Sequence, residues 1–147
     1  MFEQFTDHAR SVLDLEGMEA RRMHHAYLGT EHLLLALIRE PQGHGHRALE
    51  SLGVTHAQAR RALAELVAEG PEADVPDYFR QTPRIKHVMA LALAEARRLK
   101  SANIGTEHLL LALLGEPEGV AMKVLASLGI KPESVRDEIL GMLAQER

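Results

Sequence analysis

Nine residues, Gly29-Thr30-Glu31-His32-Leu33-Leu34-Leu35-Ala36-Leu37, return unchanged as Gly105 to Leu113, an offset of 105 − 29 = 76 residues. The same offset, with no gap, pairs Thr6 with Thr82 and Glu19-Ala20-Arg21-Arg22 with Glu95-Ala96-Arg97-Arg98. It also pairs Glu40-Pro41 with Glu116-Pro117 and Ser51-Leu52-Gly53 with Ser127-Leu128-Gly129. The chain is one unit written twice, so a surface made by the unit is expected at two related places. The period is too long for a single TPR or HEAT unit. It points to two four-helix halves related by a pseudo-twofold.

Each copy of the nonapeptide reads as a helix entry. Thr30 and Thr106 are expected N-caps, and Glu31 and Glu107 place negative charge where the helix dipole is positive. The leucine run that follows is apolar on every side, which marks a helix buried all round with only its polar N-terminus near the surface. Before it, Thr6 opens a helix over about residues 7–25 whose apolar face is Ala9, Val12, Leu13, Leu15, Met18, Ala20 and Met23. His24 to Leu28 form the connection, and Pro41 ends the buried helix. A third helix, near 45–52, stops at Gly53. Thr55-His56-Ala57-Gln58 is a capping box for a fourth, with Ala59, Ala62, Leu63, Leu66 and Val67 on one face.

Residues 69–79 hold two prolines, a glycine and four acids and read as a linker. Thr82-Pro83 restarts the cycle with proline at the favoured first helical position, and Lys131-Pro132-Glu133 opens the last helix. The expected fold is all-α: eight helices and no strand in one body over 1–147. Repeat 1 covers about 2–68, the linker about 69–80 and repeat 2 about 81–145.

Composition narrows the function. With 46% hydrophobic residues but only 3% aromatic in 147, the core is Leu, Ala, Val and Met, which suits helix packing. A net charge of −4 gives no basic footprint for nucleic acid. The absence of cysteine excludes disulfides, thiolate metal sites and a cysteine nucleophile. Met1-Phe2-Glu3-Gln4-Phe5 lacks the basic start of a signal peptide, and no apolar stretch reaches membrane-span length. A soluble, cytoplasmic protein is expected.

No catalytic motif stands out. Adjacent residues of Thr-Glu-His do not face one another on a helix, and there is no HExxH, phosphate-cradling glycine loop or paired carboxylate motif. The expectation is a non-enzyme without cofactors. Gly43-His44-Gly45-His46 offers imidazoles for a metal, but the second repeat has Gly119-Val120-Ala121-Met122 there, so an exposed, weakly binding loop is expected rather than a metal site. His32 and His108 are expected to pack or hydrogen-bond.

Thr6, Glu31, Thr82 and Glu107 admit two readings. All four are helix-start residues, and helix stability alone accounts for them. Alternatively, free N–H groups at a helix start bind an anion while a neighbouring carboxylate grips a guanidinium. A ligand carrying phosphate and guanidinium together, such as phosphoarginine, would need both.

Phe2-x-x-Phe5-Thr6, the doubled Gly-Thr-Glu-His-Leu-Leu-Leu, Thr82-Pro83-Arg84, Leu52-Gly53-Val54 and Leu128-Gly129-Ile130 together resemble the Clp N-terminal domain. This is the double Clp-N repeat at the front of Hsp100 unfoldases, and the similarity is to the ClpC type, from Phe2 to about Leu143. It implies an all-α pseudo-dimer, monomeric in isolation, that recruits unfolded or tagged substrates and adaptors of the MecA kind to a Clp ATPase ring, in cis or in trans. It also implies phosphoarginine sites in which Glu31 and Glu107 hold guanidinium groups and Thr6 and Thr82 help with phosphates. Phe2 and Phe79 resemble the family's hydrophobic rim for adaptors.

Two departures bear on those sites. The family's basic residue before Phe-Thr is Gln4 here, although its repeat partner is Arg80, so the first phosphate site is expected to be weaker than the second. The linker acids Glu72, Asp74 and Asp77 would discourage a phosphorylated ligand. Two rivals from other classes stand beside this reading. One is a helix-turn-helix DNA-binding regulator, against which the acidic balance counts; the other is a small metal-binding helical protein.

Overall fold

The duplicated leucine runs become two central helices. In the computed structural model, which describes residues 4–71 and 77–146, the elements run α1 (Asp7–Arg22), β1 (Tyr27–Leu28), α2 (Thr30–Arg39), α3 (His44–Ser51) and α4 (His56–Leu66). The second half repeats them as β2 (Arg80–Gln81), α5 (Pro83–Arg98), α6 (Thr106–Leu114), α7 (Val120–Ser127) and α8 (Pro132–Gln145). Leu33 to Ile38 are at most 5% exposed and Leu109 to Leu113 at most 1%. Each buried leucine stabilises the fold by roughly 1.5–3 kcal/mol, so α2 and α6 anchor the core. Around them α1 packs on α2 as α5 packs on α6, while α3 crosses to α6 and α7 crosses to α2. The halves therefore share one interior.

That crossing changes the role of Thr30 and Thr106. Both are the first residues of their helices, and the N-caps are Gly29 and Gly105. The Thr30 hydroxyl instead accepts the Ala121 N–H of α7 at 3.1 Å, and Thr106 accepts the Gly45 N–H of α3 at 3.0 Å. Each threonine thus satisfies an orphan donor of the opposite repeat, at helices that start from glycine and have no side chain to cap them. The capping of α2 and α6 falls to histidine: the Gly29 N–H donates to His32 Nδ1 at 2.9 Å and the Gly105 N–H to His108 Nδ1 at 2.8 Å.

Strand pairing, absent from the sequence expectation, occurs in two short places. β1 and β2 pair in parallel, Tyr27 with Arg80 and Leu28 with Gln81, and Phe5 pairs with Ile104 at the symmetry-related position. Beside them the Thr82 N–H donates to the Leu28 carbonyl at 3.0 Å and the Thr6 N–H to the Ile104 carbonyl at 2.9 Å. Two residues are too few for an alternating pattern to register in sequence. Their backbone groups nonetheless pin the start of α5 beside the start of α2, and the start of α1 beside the start of α6.

The other expected caps form. Thr6 accepts from the Ala9 N–H, Thr82 from the Ile85 N–H, and Thr55 and Gln58 make a reciprocal capping box. Gly53 and Gly129 close α3 and α7 in the left-handed region, at φ 83° and 78°. Boundaries and faces differ in detail. α1 stops at Arg22 rather than near 25, because His24 turns left-handed at φ 56° and the His25 N–H bonds back to the Ala20 carbonyl. Met18 and Leu66, expected on apolar faces, are 47% and 46% exposed, whereas Glu16 and Glu19 on α1 are buried. Arg39 pairs with Glu19 at 3.1 Å, and His56 hydrogen-bonds it at 3.0 Å. The expected linker is tied down at its start, where the Gly70 N–H donates to the Met23 carbonyl.

Candidate ligand-binding site

Glu31 and Thr82, from different repeats, line the same cavity of about 480 Å³, together with Tyr27, Pro83, Arg84 and Val120. The β1–β2 pairing is what brings them there, since it lays the α5 start against the chain entering α2. The N-terminus of α2 is not the surface feature expected: Thr30 and Glu31 are each 3% exposed and His32 is fully buried. Glu31 is nevertheless not sealed in, because the cavity opens beside it.

Its carboxylate is held in place. Tyr27 O–H donates to Glu31 Oε2 at 3.1 Å, and burial with the neighbouring charge pushes the Tyr27 phenol above its ordinary value. A Cβ at Gly29 would displace the Glu31 carboxylate from its place over the helix start, and one at Gly105 would displace Glu107. Glycine lets the carboxylate fold back over the helix start.

Behind it runs a chain of imidazoles. His32 Nδ1 already accepts from Gly29, so its Nε2 carries the proton and donates to His25 Nδ1 at 2.8 Å. His25 Nε2 in turn donates to the Ala68 carbonyl at 2.9 Å. Burial first, and His25 second, lower His32 to about 3, so His32 is neutral. His25, Glu31 and His32 also place potential ligand atoms within 4.8 Å of one another. Two imidazole nitrogens bound to one zinc at about 2.0–2.1 Å stand about 3.3 Å apart, so the direct 2.8 Å bond leaves no place for an ion between them.

Within the first turns of α5, Arg84, itself a wall of the cavity, pairs with Glu116 at 3.2 Å, and His87 also reaches Glu116. The hydrogen bond from His87 is the chief reason the Glu116 carboxyl lies below the usual range. Arg80 is exposed on β2, two residues ahead of Thr82. Phe79 lies along α1, with the Arg21 guanidinium 5.3 Å from its ring centroid. Phe2 lies outside the described residues.

The second set is arranged differently. Thr6 is pinned next to the chain entering α6, but Glu107 faces His44, whose Nδ1 is 3.7 Å from Glu107 Oε1. The Gly43-His44-Gly45-His46 stretch is therefore no exposed loop: it opens α3, with His46 Nδ1 on the Ile38 carbonyl. Sequence reasoning missed Tyr27 and did not place Arg84 or His44 at the carboxylates. Tyr27 sits one helical turn ahead of Glu31, a spacing that signals contact only once the chain there is known to turn.

A second concavity of about 560 Å³ straddles the pseudo-twofold between α1 and α5. Phe5, Leu13, Leu28 and Glu16 line it with Gln81, Met89, Leu93 and Ile104. Burial pushes the Glu16 carboxyl up to about 8.

The profile of the family described as the Clp repeat (R) N-terminal domain matches residues 4–107 and 80–147. The chain is 41% identical over 143 residues to the negative regulator of genetic competence ClpC/MecB of Bacillus subtilis, an alignment covering 97% of this chain and 17% of the relative. The chain belongs to the Clp repeat N-terminal domain family. To the chloroplastic chaperone protein ClpC2 of Oryza sativa this Clp N-terminal domain is 43% identical over 145 residues, 99% of the chain and 16% of the relative. It thus spans about a sixth of the length of these curated relatives.

Among solved structures, the N-terminal domain of ClpD from Arabidopsis thaliana superposes with a TM-score of 0.79 at 26% identity, covering 98% of this chain and 97% of that one. The Hsp104 N-terminal domain of Candida albicans shares the fold at 0.78 and 18% identity, covering 95% and 91%. Among the described residues, no helix is long and apolar enough to cross a membrane.

Proposed function

We propose that this Clp N-terminal domain recruits substrates and adaptors for a ClpC-type AAA+ unfoldase or protease, and that the Glu31–Thr82 cavity receives phosphoarginine-marked protein. The reading rests on one observation: a fixed carboxylate and a capped helix start from opposite repeats line the same cavity. The carboxylate would accept from the guanidinium N–H groups in charge-assisted bonds. The positive end of α5, with Arg84 in its first turn and Arg80 just ahead, would favour the phosphate. No bond need be broken, so the domain binds and does not catalyse; its motor acts in cis or in trans. Adaptors of the MecA kind would use the surface around Phe79.

Titration calorimetry with free phosphoarginine tests the site. The unmodified domain is expected to bind. Glu31→Gln should weaken binding by about 10- to 100-fold, the effect of losing a hydrogen bond to a charged group. Equal heats from the two proteins, or none from the unmodified domain, would overturn the assignment.

A further inference from the structure

The 76-residue offset gives each residue lining the Glu31 cavity a counterpart in the other repeat. Thr82 corresponds to Thr6, Pro83 to Asp7, Arg84 to His8 and Val120 to His44. The ion pairs follow the same symmetry, since Arg84–Glu116 at 3.2 Å is matched by His8–Glu40 at 3.8 Å. The symmetry fails at Tyr27, whose counterpart is Asn103, and at Val120 and His44. Val120 gives the Glu31 cavity an apolar wall, whereas His44 brings an imidazole to Glu107.

His44 is also anchored from behind. Its Nε2 lies 2.8 Å from Glu146 Oε2 at the end of α8, and Arg47 Nη2 reaches Glu146 Oε1 at 3.2 Å. The hydrogen bond from His44 is the largest cause holding the Glu146 carboxyl below its usual range. The imidazole therefore hydrogen-bonds Glu146 through Nε2 while its Nδ1 side lies against Glu107, and its side chain is only 26% exposed.

We propose that His44 is a built-in occupant of the second carboxylate site: it takes the place at Glu107 that a guanidinium would take at Glu31, leaving one open ligand site and one closed by the protein itself. This rests on the reading of the Glu31 cavity given above. The anion side is altered in the same direction, because Asp7 and His8 stand where the open site has Pro83 and Arg84. The domain is thus a duplicated fold in which the second repeat's ligand carboxylate is occupied by a residue of the first repeat.

Replacing His44 by its repeat counterpart separates the possibilities. By calorimetry with phosphoarginine, the unmodified domain is expected to bind one equivalent. His44→Val should bind a second equivalent, at least tenfold weaker than the first, and Glu107→Gln in the His44→Val background should remove that second equivalent alone. One equivalent in both the unmodified domain and His44→Val, or two already in the unmodified domain, would overturn the inference while leaving the Glu31 site standing. Absence of binding to either protein would refute the Glu31 reading, and the inference with it.

Discussion

Glu16→Gln is expected to make the domain more stable above pH 8, by as much as about 5 kcal/mol, while changing little near pH 4.5. The Glu16 carboxyl is raised from 4.5 to about 8 by burial, and every tenfold gain in proton affinity on folding corresponds to about 1.4 kcal/mol. The folded state therefore holds a proton that the unfolded state has already lost. Wherever the native state binds more protons, stability falls as pH rises, so the loss runs from about 4.5 to about 8 and is complete beyond. A neutral amide of the same shape has no such loss. Urea unfolding of both proteins at pH 5, 6.5 and 8.5 checks this. A fall of equal size in Glu16→Gln between pH 6.5 and 8.5 would contradict it.

His32→Ala should cost about 3–5 kcal/mol, and His108→Ala clearly less. Removing the His32 ring strands the Gly29 N–H and the His25 Nδ1 and leaves a void in a fully buried position. His108 has only the Gly105 bond; its Nε2 has no partner among the described residues, because Ser101 stands where the first repeat has His25. The pH dependence gives a second signature. His32 is lowered from 6.5 to about 3, so the unfolded state takes up a proton that the folded state refuses, and stability is lost as pH falls from 6.5 towards 3. Between 4.5 and 6.5 the opposite slopes of His32 and Glu16 cancel each other. His32→Ala should lose the acid-side decline due to this residue. Equal costs for the two alanine variants would sink the imidazole-chain account.

Much of this architecture was legible because the sequence repeats it in fixed register. The buried helices, the Thr6, Thr82 and Thr55 caps, Pro83 at a helix start and the glycine stops each have a local cause that sequence displays. What escaped was made by the crossing of the halves. Thr30 looks like a cap for its own helix, and only the packing of α7 on α2 gives its hydroxyl to Ala121. The His24 turn ends α1 without glycine or proline, so no residue type announced it. Glu16 and Glu19 are buried because the interface of α1 is wider than its aliphatic face, which no amphipathic reading allows.

The site was half legible. Glu31 and Thr82 could be named as helix starts, but their meeting depends on two-residue strands too short to recognise. The sequence also pointed to a weaker site on the Gln4 side, and the structure adds a separate asymmetry there in His44. That residue drew notice only as a metal candidate, since its contact with Glu107 spans 63 residues of chain (107 − 44).

The central claim is that this domain offers its paired helix starts to a ligand bearing guanidinium and phosphate. Backbone NMR of the isotopically labelled domain titrated with phosphoarginine tests it most directly. The account predicts saturable shifts confined to Tyr27, Gly29, Glu31, Thr82, Arg84 and their neighbours, with Glu107 and its surroundings unmoved. Shifts centred elsewhere, or no shifts at a saturating ligand concentration, would contradict it.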